Sequence, residues 1–180
     1  MFQIDVVEQC KQNNRKAQVK LYRQYCDGMY CVAMRFVKNA DDAEDVLQES
    51  FIKAFQKIEQ FKGEVTFGAW LKRIVVNKSI DFLKKKQEKL VALDESYMHI
   101  VEDEDWSIAP EYTFNDVRKA IDQLPENYKY VVMMFLIEGY DHIEISEVLN
   151  ITHSTCRTRL LRGKGYLKEI LKGKDYGTGS

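Results

Sequence analysis

The chain has 180 residues, with 27 Lys plus Arg against 28 Asp plus Glu, 45% hydrophobic residues and only 2 prolines, a composition that suits one globular domain or two small ones. Its longest apolar run, Tyr130 to Ile137, ends at Glu138 after 8 residues, short of the ~18 that a membrane span needs. Met1 to Lys11 also lacks the basic, then apolar, then small-residue order of a secretion signal, so a cytoplasmic chain without membrane insertion is expected.

The near-zero net charge conceals segregation. Residues 1–90 hold 17 basic and 12 acidic residues, residues 91–116 hold 8 acids and no base, and residues 117–180 hold 10 bases and 8 acids. Two basic blocks around an acidic connector read either as two modules facing a polyanion or as modules joined by a solvated loop. The four cysteines, Cys10, Cys26, Cys31 and Cys156, have no CxxC spacing and read as buried free thiols rather than as disulfides or metal ligands.

Apolar residues recur every three or four positions from Gln18 to Ile58. On a helix over 41–58, Ala43, Leu47, Phe51, Ala54, Phe55 and Ile58 share one face, and Asp42, Asp45 and Glu49 line the opposite one. Val46 and Ile52 flank the acids, off the expected core face. Acids early in a helix suit its positive end, whereas apolar residues beside a charged stripe suit a docking surface. Both readings stay open on periodicity.

Next comes FKGEVTFGAWLKRIVVNKSIDFLKKK, a short glycine-containing loop and then a helix. Phe67, Trp70, Leu71, Ile74 and Val75 form its core face, and Arg73, Asn77 and Lys84 fall on another stripe. Lysine beside loop aromatics is a composition that binds single-stranded nucleic acid, because bases stack on rings and ammonium groups follow phosphates. From Leu93 to Pro110 the period is lost and acids gather.

Helical spacing resumes at Tyr112 and runs to Lys172, before a Gly/Ser tail. Within GYDHIEISEVLNITHSTCRTRLLRGKGYL, Asp141 and Glu144 have capping-box spacing, and Asn150 stands where a tight turn needs a left-handed residue. A second helix follows, with Cys156, Leu160, Gly163 and Leu167 inward and Arg157, Thr158, Leu161 and Lys164 outward, Arg162 at the edge. This is a helix-turn-helix whose outer face suits a DNA major groove, where Arg grips guanine or phosphate and an apolar group touches a thymine methyl; a helical hairpin with a solvated basic face is the alternative.

Taken together, DDAEDVLQESFIKAF, the loop and helix from Phe61 to Lys86, and LPENYKYVVMMFLIEGYDHIEISEVLNITHSTCRTRLLRGKGYLKE resemble three ordered segments of bacterial RNA polymerase sigma factors, in the small extracytoplasmic-function (ECF) group of the sigma-70 family. The resemblance spans about residues 15 to 172. It implies an all-α protein of two small helical domains: a region 2 domain over 1–90, an acidic linker over 91–111, a region 4 helix-turn-helix domain over 112–174 and a tail over 175–180. It also implies that Asp42, Asp45, Val46, Gln48 and Glu49 bind core RNA polymerase. Phe61, Lys62, Thr66, Arg73, Asn77 and Lys84 would hold melted minus-ten promoter DNA, and Arg157, Thr158, Leu161 and Arg162 would face the upstream duplex at minus thirty-five. The linker would thread toward the path of the nascent transcript, and an anti-sigma factor is an expected partner.

Some positions depart from the family's pattern. Gly163 and Gly165 replace common alanines, Asn150 replaces the turn glycine, His142 stands where Tyr is frequent, and lysines replace arginines at the end of the minus-ten helix. No cofactor, metal or catalytic residue is expected. The chain has no GxxxxGK[ST] loop, and its three histidines, His99, His142 and His153, lie in unrelated segments. A stand-alone helix-turn-helix regulator is the competing class, and it leaves the acidic stripe and aromatic loop without a role.

Overall fold

The computed structural model describes residues 2–87 and 107–175, and everything described is helical or loop. The chain divides into two compact units. The first contains α1 (Phe2–Lys11), α2 (Arg15–Val37), α3 (Ala40–Gln56), a 3-10 turn (Ile58–Gln60) and α4 (Phe67–Gln87). The second contains α5 (Phe114–Asp122), α6 (Glu126–Leu136), α7 (His142–Leu149) and α8 (His153–Asp175). Most of the expected linker, and the tail beyond Asp175, fall outside the described residues.

Helix boundaries in the first unit follow local chemistry. The Asn14 side chain accepts from the amides of Lys16 and Ala17 at 3.0 and 3.2 Å and starts α2. Lys38, left-handed at φ 57°, ends α2, and the Asn39 side chain accepts from the Asp42 amide to begin α3 at once. α2, α3 and α4 pack pairwise, and α1 lies against α2. The core is Leu21, Ala33, Phe36, Ala43, Phe51, Leu71, Val75 and Val76. Its two buried hydroxyls are satisfied within their own helices, Ser50 donating to the Val46 carbonyl at 2.6 Å and Ser79 to that of Val75 at 2.8 Å.

Two expectations are corrected in this unit. Val46, placed on the outer surface, is 3% exposed. Because α3 packs against both α2 and α4, one narrow stripe does not suffice, and Ala43, Val46, Leu47, Ser50, Phe51 and Ala54 together fill an arc of about 140° at 100° per residue. Ile52 does lie outside, 58% exposed. Of the cysteines, all free, Cys10 and Cys156 are buried, but Cys26 is half-buried and Cys31 exposed, because they sit away from the face of α2 that Leu21, Met29, Val32 and Phe36 bury. α1 is an element the periodicity did not reveal; it contributes Val6, Val7 and Cys10 to the core.

In the second unit α5, α6 and α7 all pack on α8. Thr113 and Asp116 form a capping box that opens α5. Val131, Val132, Met133 and Met134 make α6 buried on nearly every side, around the inward residues of α8. Gly163 is where α8 meets α6: a methyl group there would overlap Val132 Cγ2 and lie 3.3 Å from Tyr128 Cβ. Helix propensity favours alanine over glycine by about 1 kcal/mol, but overpacking against a β-branched neighbour costs about 1–3 kcal/mol. We therefore expect Gly163→Ala to lower the denaturation midpoint of the second unit. A rise would mean that α6 yields to the added methyl at little cost.

Candidate docking and nucleic-acid interfaces

The outer arc of α3 is built from what its buried arc leaves over: Gln48, Ile52, Asp45, Glu49 and Asp42, in that order around the helix. Gln48, Asp45, Glu49 and Ile52 are exposed, and Asp42 is partly covered. Two of the acids are engaged within the unit. Lys78 Nζ of α4 lies 3.2 Å from Glu49 Oε2, and Lys86 Nζ lies 3.2 Å from Asp42 Oδ2. The acids thus do structural work that sequence position did not reveal, pairing α3 with an antiparallel α4. Such surface pairs contribute at most about 1 kcal/mol each, so both carboxylates remain open to a competing partner.

The loop before α4 is held at both ends. Phe61 is half-buried in an aromatic cluster, its ring edge-on to Phe67 at 5.6 Å and 5.5 Å from Trp70, while Tyr25 packs on Phe67 from α2. At the other end the Thr66 hydroxyl accepts from the Ala69 amide at 3.2 Å and caps α4. Two of the residues expected to touch DNA therefore hold the loop in shape. Between them Lys62, Gly63, Glu64 and Val65 are exposed, with Gly63 at φ 76°, a conformation that favours glycine. Arg73 and Asn77 are exposed on α4, and Lys84 is half-buried. Val65, exposed at the loop tip, is a surface residue that sequence reasoning passed over.

The helix-turn-helix of the second unit matches its expected local geometry. The Asp141 side chain accepts from the Glu144 amide at 2.8 Å, and Glu144 accepts from the Asp141 amide at 2.9 Å. Asn150 ends α7 in the left-handed region at φ 53° and ψ 48°. The Thr152 hydroxyl accepts from the Thr155 amide and starts α8. Cys156, Leu160, Gly163 and Leu167 are buried; Arg157 and Thr158 are exposed, and Leu161 and Arg162 half-exposed beside them. Burial raises the Cys156 thiol above its ordinary pKa, which keeps it protonated and unreactive.

One expectation fails in this unit: His142 and His153 are not in unrelated places. Each opens a helix of the helix-turn-helix, and their rings meet edge to face with centroids 5.8 Å apart. His99 lies outside the described residues. Among the described residues no His, Cys, Asp and Glu group has the arrangement to hold a metal ion, and no helix is long and apolar enough to cross a membrane.

Comparison with known proteins agrees with the two-unit layout. Residues 21–89 match the family model of sigma-70 region 2, and residues 114–167 match that of sigma-70 region 4. The chain is 33% identical over 178 residues to the ECF RNA polymerase sigma factor SigW of Bacillus subtilis, covering 92% of this chain and 95% of SigW. Two solved structures share its fold. CnrH, in complex with the cytosolic domain of CnrY, aligns with a TM-score of 0.55 at 20% identity, covering 95% of this chain and 97% of CnrH. The sigma factor RpoE in complex with the anti-sigma factor NepR, from Bartonella quintana, aligns at 0.54 and 19% identity, covering 85% of this chain and 95% of RpoE. With both helical units matched in order and a relative alike over nearly its full length, the chain belongs to the ECF group of sigma-70 family RNA polymerase sigma factors, which are non-enzymatic proteins of promoter-specific transcription initiation.

Proposed function

We propose that this chain docks on core RNA polymerase through the outer arc of α3, captures an unpaired minus-ten base with the loop and outer face of α4, and reads the upstream duplex with α8. The observation that carries the reading is the pairing of surfaces in the first unit: an acidic and apolar arc on α3 lies next to a helix that presents Arg73, Asn77 and a held loop. In the docking arc, Asp42, Asp45, Gln48 and Glu49 supply charge and hydrogen bonding, and Ile52 supplies the apolar contact first assigned to Val46. A base leaving the stack costs a few kcal/mol, and a loop whose ends are anchored offsets that cost without itself having to become ordered. Lys62, Arg73 and Lys84 serve the strand's phosphates, and Phe61 and Thr66 act by fixing the loop.

The domain limits follow the same reading: 1–90 for docking and minus-ten capture, 112–174 for the upstream element, and 91–111 as an acidic linker that occupies the transcript's path until RNA displaces it. An anti-sigma factor is a proposed partner. Support comes from RpoE, a fold relative solved with the anti-sigma factor NepR. The test is run-off transcription with purified core polymerase on genomic fragments. Defined starts that need the chain support the reading, and starts that core produces equally well alone contradict it.

On α8, Arg157→Ala and Arg162→Ala are expected to weaken recognition of the upstream element. A guanine-reading arginine gives a loss of roughly 1–3 kcal/mol that depends on base sequence, whereas a phosphate-binding one gives an even loss and a smaller salt dependence. Footprints over the upstream element unchanged in both variants would place the recognition face elsewhere.

A further inference from the structure

The two histidines that meet in the second unit belong to a larger cationic cluster for which packing alone gives no reason. His142 opens α7 and His153 opens α8. The His142 ring centroid also lies 5.5 Å from that of the Phe135 ring of α6, and Lys164 Nζ sits 4.5 Å from the centroid of the Phe135 ring. Arg157 is exposed one turn along α8 from His153. Cys156 Sγ, buried, lies 4.0 Å from His142 Nδ1, which leaves Nε2 as the ring's remaining nitrogen. His142, His153 and Arg157 thus gather near the starts of two helices, Lys164 adds its charge from about three turns along α8, and Asp141, the cap of α7, is the acid acting on His142.

The cluster disfavours protonation of His142. Burial lowers the His142 pKa below the ordinary histidine value, and His153, Arg157 and Lys164 push it the same way; only Asp141 opposes them. In the free protein these surroundings favour the neutral His142 ring. An anion placed among these groups reverses the balance, because each imidazolium N–H then makes a charge-assisted hydrogen bond and the repulsion is neutralised. The amino-terminal end of α7 adds its positive dipole end, and in a helix-turn-helix the first helix crosses the DNA backbone.

We propose that His142 and His153, flanked by Arg157, form a phosphate-binding subsite for the upstream duplex, and that filling it takes up a proton. The proposal rests on the reading of α8 as the duplex-facing helix. Its sign follows from linkage: the pKa is depressed when free and raised when bound, so protons are taken up between the two values and affinity increases as pH falls through that window. One proton gives at most a tenfold change in affinity per pH unit.

The test uses the full chain and a mixed-sequence duplex of about 20 base pairs at low salt, where phosphate contacts dominate binding. Affinity is measured from about pH 8 to about pH 6, across the titration range of histidine. We expect a three- to tenfold gain over that range, a smaller gain in His153→Gln, whose side chain is exposed and so spares the fold, and none in the His142→Gln/His153→Gln double variant. Ring-proton titration by NMR should show the His142 pKa rising when the duplex is added. Affinity independent of pH in the unaltered chain, with Arg157→Ala still weakening binding, overturns the subsite and spares the duplex reading. No effect of Arg157→Ala overturns both. The same proton uptake with inorganic phosphate at matched concentration would assign the cluster to a free anion and overturn its role on DNA.

Discussion

Reversing one charge on the outer arc of α3, by Asp45→Lys or Glu49→Lys, is expected to lower affinity for core RNA polymerase by tenfold or more while leaving the helical circular dichroism spectrum unchanged. Asp45 is exposed on a helix whose opposite arc is filled by Ala43, Leu47, Phe51 and Ala54, so its replacement disturbs no core contact. Glu49 also gives up its contact with Lys78 Nζ, which as an exposed ion pair contributes under about 1 kcal/mol to stability. At the interface the change should be larger, because a contact is lost and, where the expected basic or hydrogen-bonding partner surface is basic, a like charge is placed against it; like-charge juxtaposition costs several kcal/mol. Ile52→Asp should act in the same direction, and Val46→Ala should instead lower stability, since Val46 is buried. Co-purification of the charge reversals with core at unaltered affinity, with the fold intact, would remove α3 as the docking helix.

The second large effect is the difference between the free chain and the chain on core polymerase. Alone, it should bind promoter duplex weakly and with little sequence discrimination. Lys78 and Lys86 are engaged by Glu49 and Asp42; on the proposed reading the acidic segment also repels DNA, and the minus-ten surface needs a melted strand that free duplex does not present. Docking on core fixes the spacing of two weakly binding units, so that the second contact becomes intramolecular. Tethering of this kind raises overall affinity by roughly 100- to 10,000-fold without any new contact. Titration of promoter duplex with free chain, with core, and with both measures it directly. Tight specific binding by the free chain, with no initiation when core is added, would favour the stand-alone regulator.

What the sequence made legible was local. The capping box of Asp141 and Glu144, the left-handed turn at Asn150 and the inward row of Cys156, Leu160, Gly163 and Leu167 each depend on residues within a turn or two of one another, and all have the expected geometry. What stayed hidden depended on neighbours from elsewhere in the chain. Val46 is buried because α3 lies between two helices, and a one-face periodicity has no means of showing a second packing partner. Gly163 stands out in sequence only as a glycine in place of a common alanine, and the reason for it shows once Val132 is placed against it. Phe61 and Thr66 read as ligand contacts until the aromatic cluster and the cap of α4 give them structural roles. His142 and His153 are eleven positions apart in sequence, and only the turn between α7 and α8 brings their rings together.

If, as proposed, this chain lets core polymerase open DNA at chosen sites with the first unit holding the unpaired strand, melting must require both proteins. Permanganate footprinting reads this melting, because the reagent oxidises thymines only where the duplex has opened. On a fragment that supports run-off transcription, reactive thymines are expected upstream of the start when chain and core are both present, and none with either alone. In Asn77→Ala and Lys62→Ala, which alter the capture surface without touching the core, the signal should fall. Thymines equally reactive with core alone, or unreactive while the chain and core still start at that site, would contradict it.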